Sequence, residues 1–208
     1  MTTDPARTAR APRKRNAERS KVSILRAAIK EFAASGFSGA RTERIATSAE
    51  CNIRLLYHYF SNKEQLYLAV LESAYEGPRS HKRLLSFDME APLESLLDLM
   101  HFTFNYFADD PRFESLLRNE NIMRGRFVRR LPAVPEQANH LLARIEALIR
   151  AGEARGLFQP ELDAGQLYVT ITALSRFHLS NSYGATAGRG RQWPRSGMRG
   201  GPDMKWRG

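Results

Sequence analysis

Residues 36–72 read GFSGARTERIATSAECNIRLLYHYFSNKEQLYLAVLE, and the middle of this stretch poses a conflict. Tyr57, His58, Tyr59 and Phe60 stand in a row between Arg54 and Lys63. A buried segment would take water away from two hydroxyls, an imidazole and two charges, while a solvent loop has little use for so many rings. A helix resolves the conflict. At roughly 100° per residue, Asn52, Leu55, Leu56, Tyr59 and Phe60 share one arc, and Ile53, Arg54, Tyr57 and His58 share the other. The first arc packs inward and the second faces solvent. Asn52 is placed to act as the N-cap, its side-chain oxygen accepting a free backbone N–H of the first turn. A shorter helix over about 42–49 (TERIATSA) precedes it across a brief turn at Glu50 and Cys51. Two short helices joined by a tight turn make a helix-turn-helix, whose second helix enters the major groove of a DNA duplex. The rings are amphipathic: their bodies pack on the domain and their polar tips reach phosphate, while Arg54 has the geometry for a bidentate bond to guanine.

Working outward, the pattern stays helical, because apolar residues return every three or four positions and no stretch sustains a period of two. Val22, Leu25, Ile29 and Phe32 predict a first helix over about 18–35, closed by Gly36 as a left-handed cap with Phe37 over it. A fourth helix is expected from Lys63 to Glu76, stopping at Gly77-Pro78. Pro92 suits a first helical position ahead of a stripe of Leu93, Leu96, Leu97, Met100, Phe104 and Phe107. Asp110-Pro111 opens a helix to about Met123. Leu141, Leu142, Ile145, Leu148 and Ile149 mark another over about 135–155, ending at Gly156. Asp163 caps a last one, built on Leu167, Ile171 and Leu174 and reaching about Ser182. The fold class is all-α.

Charge is unevenly spread along the 208 residues, whose formal net charge is +10. Residues 1–20 carry six basic against two acidic side chains, and residues 188–208 six against one, so the body between them is nearly neutral. Basic ends of this kind track phosphates, or serve as solubilising tails. The segment after Ala187, GRGRQWPRSGMRGGPDMKWRG, is rich in glycine, arginine and proline and is expected to be disordered. Four segments follow: a basic disordered arm at 1–17, a helix-turn-helix domain at 18–62, a further helical domain at 63–187, to which the resemblance set out below assigns effector binding and dimerisation, and a disordered basic tail at 188–208. No apolar run approaches the roughly 20 residues of a membrane span and the N-terminus lacks a secretory signal, so the cytoplasm is expected, with no membrane partner. The single cysteine, Cys51, leaves no disulfide framework and no cysteine-based zinc cluster. His58, His81, His101, His140 and His178 show no metal-ligand spacing, and no phosphate-binding glycine loop is present. Neither an enzyme, a metal site nor a cofactor is expected.

The GF…G element followed by a helix-turn-helix that ends in Tyr57-His58-Tyr59-Phe60, Lys63-Glu64 and Leu66 resembles the DNA-binding domain of tetracycline-repressor-type (TetR family) transcriptional regulators. The resemblance covers about residues 18–72, and the helices beyond it suit that family's ligand-binding domain. It implies that the helix from Asn52 to Tyr59 is the recognition helix, that Arg54, Tyr57 and His58 face DNA, and that Lys63 holds a phosphate at the start of the fourth helix. The DNA-contacting set is Arg41, Thr42, Asn52, Ile53, Arg54, Tyr57, His58, Tyr59 and Lys63. Tyr59 reads better as a packing residue with a hydrated hydroxyl, and Ile53 equally as an incidental exposed side chain or a contact with a thymine methyl. The implied function is a homodimeric, ligand-responsive repressor of a pseudo-palindromic operator in double-stranded DNA. For its small-molecule effector the candidate residues are His101, Asn105, Asn121, Arg124 and His178.

Two features depart from the family pattern. Glu50 occupies a turn position where the family has glycine, because the backbone there tends to positive φ. The tail after Ala187 replaces the last helix with which the family builds its dimer. The rival reading is therefore a non-enzymatic helical interaction protein with impaired dimerisation and only non-specific affinity for nucleic acid.

Overall fold

The structure, a computed structural model, describes residues 10–82 and 87–181. Their regular elements are helices: α1 Arg10–Gly39, α2 Thr42–Ser48, α3 Ile53–Phe60, α4 Lys63–Lys82, α5 Pro92–Asp109, α6 Pro111–Ile122, α7 Ala133–Ala154 and α8 Ala164–Ser180, with one 3-10 turn at Val128–Arg130. The all-α expectation holds. Residues 1–9 and the tail 188–208, both expected to be disordered, lie outside the described residues. Two boundaries differ from the sequence reading. Helix α1 begins at Arg10, so Arg10–Ala17, assigned by composition to the arm, are helical. Ala, Arg and Lys are strong helix formers, and Pro12 falls in the first turn, where its missing N–H leaves no ladder bond unmade. Helix α4 runs through Gly77-Pro78 to Lys82, a proline being a breaker that a helix can carry.

The chain divides into two compact units. One joins the residues up to Ala74 with Ser115–Leu131; the other comprises Tyr75–Glu114 and the residues from Pro132 onward. The expected boundary at residues 62–63 thus moves to 74–75, and the first unit takes in a remote segment that no local pattern assigns to it.

In the first unit, α3 packs on α1 and α2. The buried stripe of α1 is Ile24, Ala27, Ala28 and Phe32, whereas Val22, expected inside, is 52% exposed. The period is as read but the phase is turned, because two alanines let α1 approach its neighbours closely. Helix α1 breaks at Gly36, with φ 66° and ψ 178°, a backbone conformation open to glycine alone, and resumes for one turn to Gly39. The remote segment closes the other side of this unit through rings. Phe37 lies 4.5 Å from Phe127 and 5.2 Å from Tyr67, and Tyr67 lies 4.8 Å from Phe32 and 5.0 Å from Phe127, centroid to centroid. Asn119 adds a bond from Nδ2 to the Phe32 carbonyl at 3.1 Å.

The second unit packs α5, α7 and α8 on one another around Leu99, Leu141, Ile145, Ile149 and Ile171. Pro92 stands in the first turn of α5 as expected, and Asp163 caps α8 by accepting the Gln166 N–H at 2.6 Å. Gly156, at φ 68°, ends α7. Two expected core sets are corrected. In α5 the buried positions are Pro92, Ser95, Leu99, Thr103 and Phe107, and Leu93 and Leu97 are exposed. In α8, Leu174 is 67% exposed, as Val169 and Phe177 also are at 66% and 62%. Both helices are apolar over more than one face, so periodicity alone could not choose the inner one.

The turn between α2 and α3 is set by two backbone bonds. Cys51 N–H reaches the Ala46 carbonyl at 3.0 Å and Glu50 N–H the Thr47 carbonyl at 3.1 Å. This is a Schellman ending, which requires a left-handed residue after the cap. Glu50 fills that place with φ 53°. A non-glycine residue there costs about 1 kcal/mol or more, because its Cβ crowds the following carbonyl. Replacing Glu50→Gly is expected to stabilise the protein by about 1 kcal/mol in urea unfolding. Glu50→Ala, which keeps the Cβ, is expected to give no such gain.

Candidate nucleic-acid interface

Helix α3 is eight residues long and begins at the expected cap: Asn52 Oδ1 accepts the Leu55 N–H at 2.7 Å. Leu56 and Phe60 are buried, Leu55 and Tyr59 half-buried, and Arg54, Tyr57 and His58 exposed. The two arcs of the helical projection are the two faces found from Leu55 onward, with Ile53 half-buried at the rim and Asn52, expected on the inward arc, exposed because its side chain caps the helix end. His58 and Tyr59 meet edge to face at 5.4 Å, which fixes the imidazole on the rim between the buried and open faces.

The start of α2 is tied to α3 and α1 by polar bonds. Thr42 is buried, and its hydroxyl lies 3.0 Å from the Tyr57 hydroxyl. Whichever oxygen donates, Tyr57 retains capacity for a further hydrogen bond at its exposed tip. Arg41 precedes α2 and is exposed; its backbone N–H donates to Glu31 Oε1 at 3.0 Å. Arg44 donates to the same carboxylate from Nε at 2.8 Å, so α1 holds the N-terminal end of α2 in place. Ser23 ties α1 to the other end through its bond to the Ala49 carbonyl at 3.3 Å. At the first turn of α4, Asn62 Oδ1 accepts the Gln65 N–H at 2.9 Å, and Lys63, half-buried, carries its Nζ 5.0 Å from the centre of the Phe37 ring. Anions are favoured at such a helix start, where free backbone N–H groups and a lysine come together.

The nine sequence-derived residues thus lie in one unit, on α3 and on the first turns of α2 and α4. Thr42 differs from the rest in being buried, its hydroxyl bonded to that of Tyr57. Burial pushes the Cys51 thiol up from its ordinary range, which keeps it protonated at neutral pH and poorly nucleophilic.

The five effector candidates are divided between the two units. His101 and Asn105 lie one turn apart on α5 and are exposed, while Asn121 and Arg124, also exposed, belong to the unit that carries the helix-turn-helix. His178 lies in α8, its side chain outside the described residues. The second unit holds other polar groups that the sequence reading passed over. Arg176 Nε and Thr172 Oγ1 are buried without a hydrogen-bond partner. The Arg176 guanidinium lies 5.6 Å from the Phe107 ring centre and 3.6 Å from the buried Glu114 carboxylate. Tyr106 meets Phe113 and Phe107 edge to face, and burial, reinforced by the Asp110 carboxylate, pushes its hydroxyl up to about 12. These groups sit among apolar positions of α5, α6 and α8, so no sequence pattern singles them out. Among the described residues there is no cluster of three or more His, Cys, Asp or Glu side chains that could hold a metal, and no helix long and apolar enough to cross a membrane.

Comparison with known proteins places this geometry. Residues 24–70 match the model of the tetR family of bacterial regulatory proteins, and residues 92–194 match that of the tetracyclin repressor-like C-terminal domain. The HTH-type transcriptional repressor NicS of Pseudomonas putida is 33% identical over 171 residues, 82% of this chain and 81% of that protein. The HTH-type transcriptional repressor SCO4008 of Streptomyces coelicolor is 32% identical over 163 residues, 78% of this chain and 80% of its own length. Among solved structures, a transcriptional regulator of Streptomyces coelicolor, SCO4942, superposes with a TM-score of 0.59 at 25% identity, over 81% of this chain and 84% of that one. The hemolysin II transcriptional regulator HlyIIR shares the fold, with a TM-score of 0.56 at 21% identity over 83% of this chain and 92% of that one. With a recognition helix presented on a tight left-handed turn and both family models matched in order, the chain belongs to the tetR family and is a DNA-binding transcriptional regulator.

Proposed function

We propose that the protein is a repressor that binds, as a homodimer, a pseudo-palindromic operator in double-stranded DNA and leaves it when a small molecule occupies the second unit. The observation that carries this reading is the exposed Arg54, Tyr57 and His58 face of α3, held outward by burial of Leu56 and Phe60. Arg54 reads a base edge from the N-terminal part of α3, where a recognition helix meets the groove. Arg41, Tyr57 with Thr42 behind it, His58 and Lys63 hold the backbone, and Asn52, Ile53 and Tyr59 set the helix and its rim. The two relatives described as repressors support the sign of regulation.

Dimerisation is supported by the outer face of α8. Val169, Leu174 and Phe177 are exposed apolar side chains on one helix, and a patch of that kind marks an interface. An effector site is supported by the unpartnered Arg176 Nε, whose guanidinium lies 5.6 Å from the Phe107 ring, and by the unpartnered Thr172 Oγ1 one turn away on α8, since buried polar atoms without partners call for a ligand or water. The protein carries out no chemistry of its own in this reading, and acts in the cytoplasm, where its operator is.

Two measurements follow. Arg54→Ala is expected to cost about 1–3 kcal/mol on the cognate operator and to relax preference at one base position, whereas Lys63→Ala weakens all sequences alike and flattens the salt dependence by about one unit. Equal losses on operator and random DNA for Arg54→Ala would remove its assigned role. Gel filtration with light scattering is expected to give a dimer at micromolar concentration, and Leu174→Glu with Phe177→Glu a folded monomer. A wild-type monomer would favour the rival reading of an interaction protein with impaired dimerisation.

A further inference from the structure

The segment RNENIMRGRFVRR, residues 118–130, carries Arg118, Arg124, Arg126, Arg129 and Arg130 against Glu120 alone. It falls in the same compact unit as the helix-turn-helix although more than fifty residues separate the two along the chain. Its anchor is Phe127, fully buried between Phe37 and Tyr67. Phe37 is the ring that carries Lys63 Nζ at 5.0 Å. Arg126 and Arg130 then close on Glu64, one residue beyond Lys63, at 3.0 and 3.2 Å. The turn is thereby fixed against the first turn of α4, where the phosphate-holding lysine stands.

The backbone of the turn is preorganised. Arg124 and Gly125 both adopt left-handed conformations, with φ 56° and 70°, a strain that only surrounding bonds can hold. Gly125 N–H reaches the Glu120 carbonyl at 2.7 Å. The Glu120 carboxylate, 2% exposed, accepts the N–H groups of Phe127 at 3.1 Å and Val128 at 2.9 Å through Oε2. A solvated loop has no need of a buried carboxylate beneath it. What the turn displays is cationic: Arg124, Arg126, Arg129 and Arg130 are all exposed, and Glu64 is the carboxylate that pairs with any of them among the described residues. Arg124 and Arg129 make no ion pair there.

We propose that the Arg124–Arg130 turn is a second DNA-contacting element, which holds the phosphate backbone next to the contact of Lys63 and reads no bases. Its occupant is the same duplex that α3 engages, because the turn is built into the recognition unit and its charge complements phosphate. Arginine forks suit phosphate oxygens, and two of the four guanidiniums, those of Arg126 and Arg130, are held at Glu64, the neighbour of Lys63. Glu64 tempers the element by holding two of the four.

The test is titration of the full chain with a random-sequence duplex about 30 base pairs long, followed by fluorescence anisotropy at several salt concentrations, each phosphate contact contributing about 0.9 to the slope of log K against log salt. The double variant Arg124→Ala with Arg129→Ala is expected to bind several-fold more weakly and with a slope shallower by about 1.8 per protomer. Glu64→Gln is expected to act in the opposite direction, giving tighter binding and a steeper slope, which a purely structural clamp would not do. Arg112→Ala with Arg150→Ala, in the other unit, is expected to leave both unchanged. This inference rests on the DNA-binding reading, and the two fail differently. Absence of any binding by the wild-type chain would overturn both. Wild-type binding with an unaltered slope in the double variant, or weaker binding by Glu64→Gln, would overturn the arginine turn alone.

Discussion

The structure of the recognition unit depends on one constraint: burying Leu56 and Phe60 of a helix only eight residues long. Such a helix is too short to be stable in isolation, so its existence rests on the packing of its apolar side against α1 and α2. The same packing fixes its rotation. Once Leu56 and Phe60 face inward, Arg54, Tyr57 and His58 have nowhere to go but solvent, because the helical period places them on the opposite side. The same eight residues thus supply, one face each, the burial that holds the helix and the exposed side proposed to meet DNA.

The surrounding contacts refine this arrangement more than they create it. The Thr42 and Tyr57 hydroxyls link the two short helices, and Glu31 holds the entry to α2 from α1. The cluster of Phe32, Phe37, Tyr67 and Phe127 then brings a remote segment onto the first turn of α4. Glu50 runs against the trend. Its strained backbone is kept because the two bonds of the α2 ending and the entry into α3 both require a left-handed residue at that point.

Much of this was legible in the sequence, because the decisive signals are local. The cap at Asn52, the first-turn proline at Pro92, the cap at Asp163 and the two faces of α3 each follow from a few neighbouring residues and a known period. The positive φ at Glu50 is also legible, through the family resemblance, which implies glycine at that turn. The misses share a cause. The phase of α1 was read from Val22 because alanines at 27 and 28 look like filler, although small side chains are what allow close approach. Leu174 was counted as core because α8 is apolar on two sides. That residues 115–131 join the recognition unit, with Glu120 buried beneath a run of arginines, is a matter of distant contacts, and a buried carboxylate in a basic stretch looks like any solvated charge. Effector candidates are hard to read for the same reason: residue type singles out His101 and Asn105, which are exposed, and only packing shows that Arg176 and Thr172 have buried polar atoms left without partners.

If the outward face of α3 lies in the major groove, the protein selects a sequence. The most direct measurement is selection of bound duplexes from a random pool by the full chain. The account predicts a two-fold symmetric consensus whose half-sites are centred about one helical turn, or a multiple of it, apart. Recovery of duplexes with no shared sequence, at an affinity equal to that of the unselected pool, would contradict it.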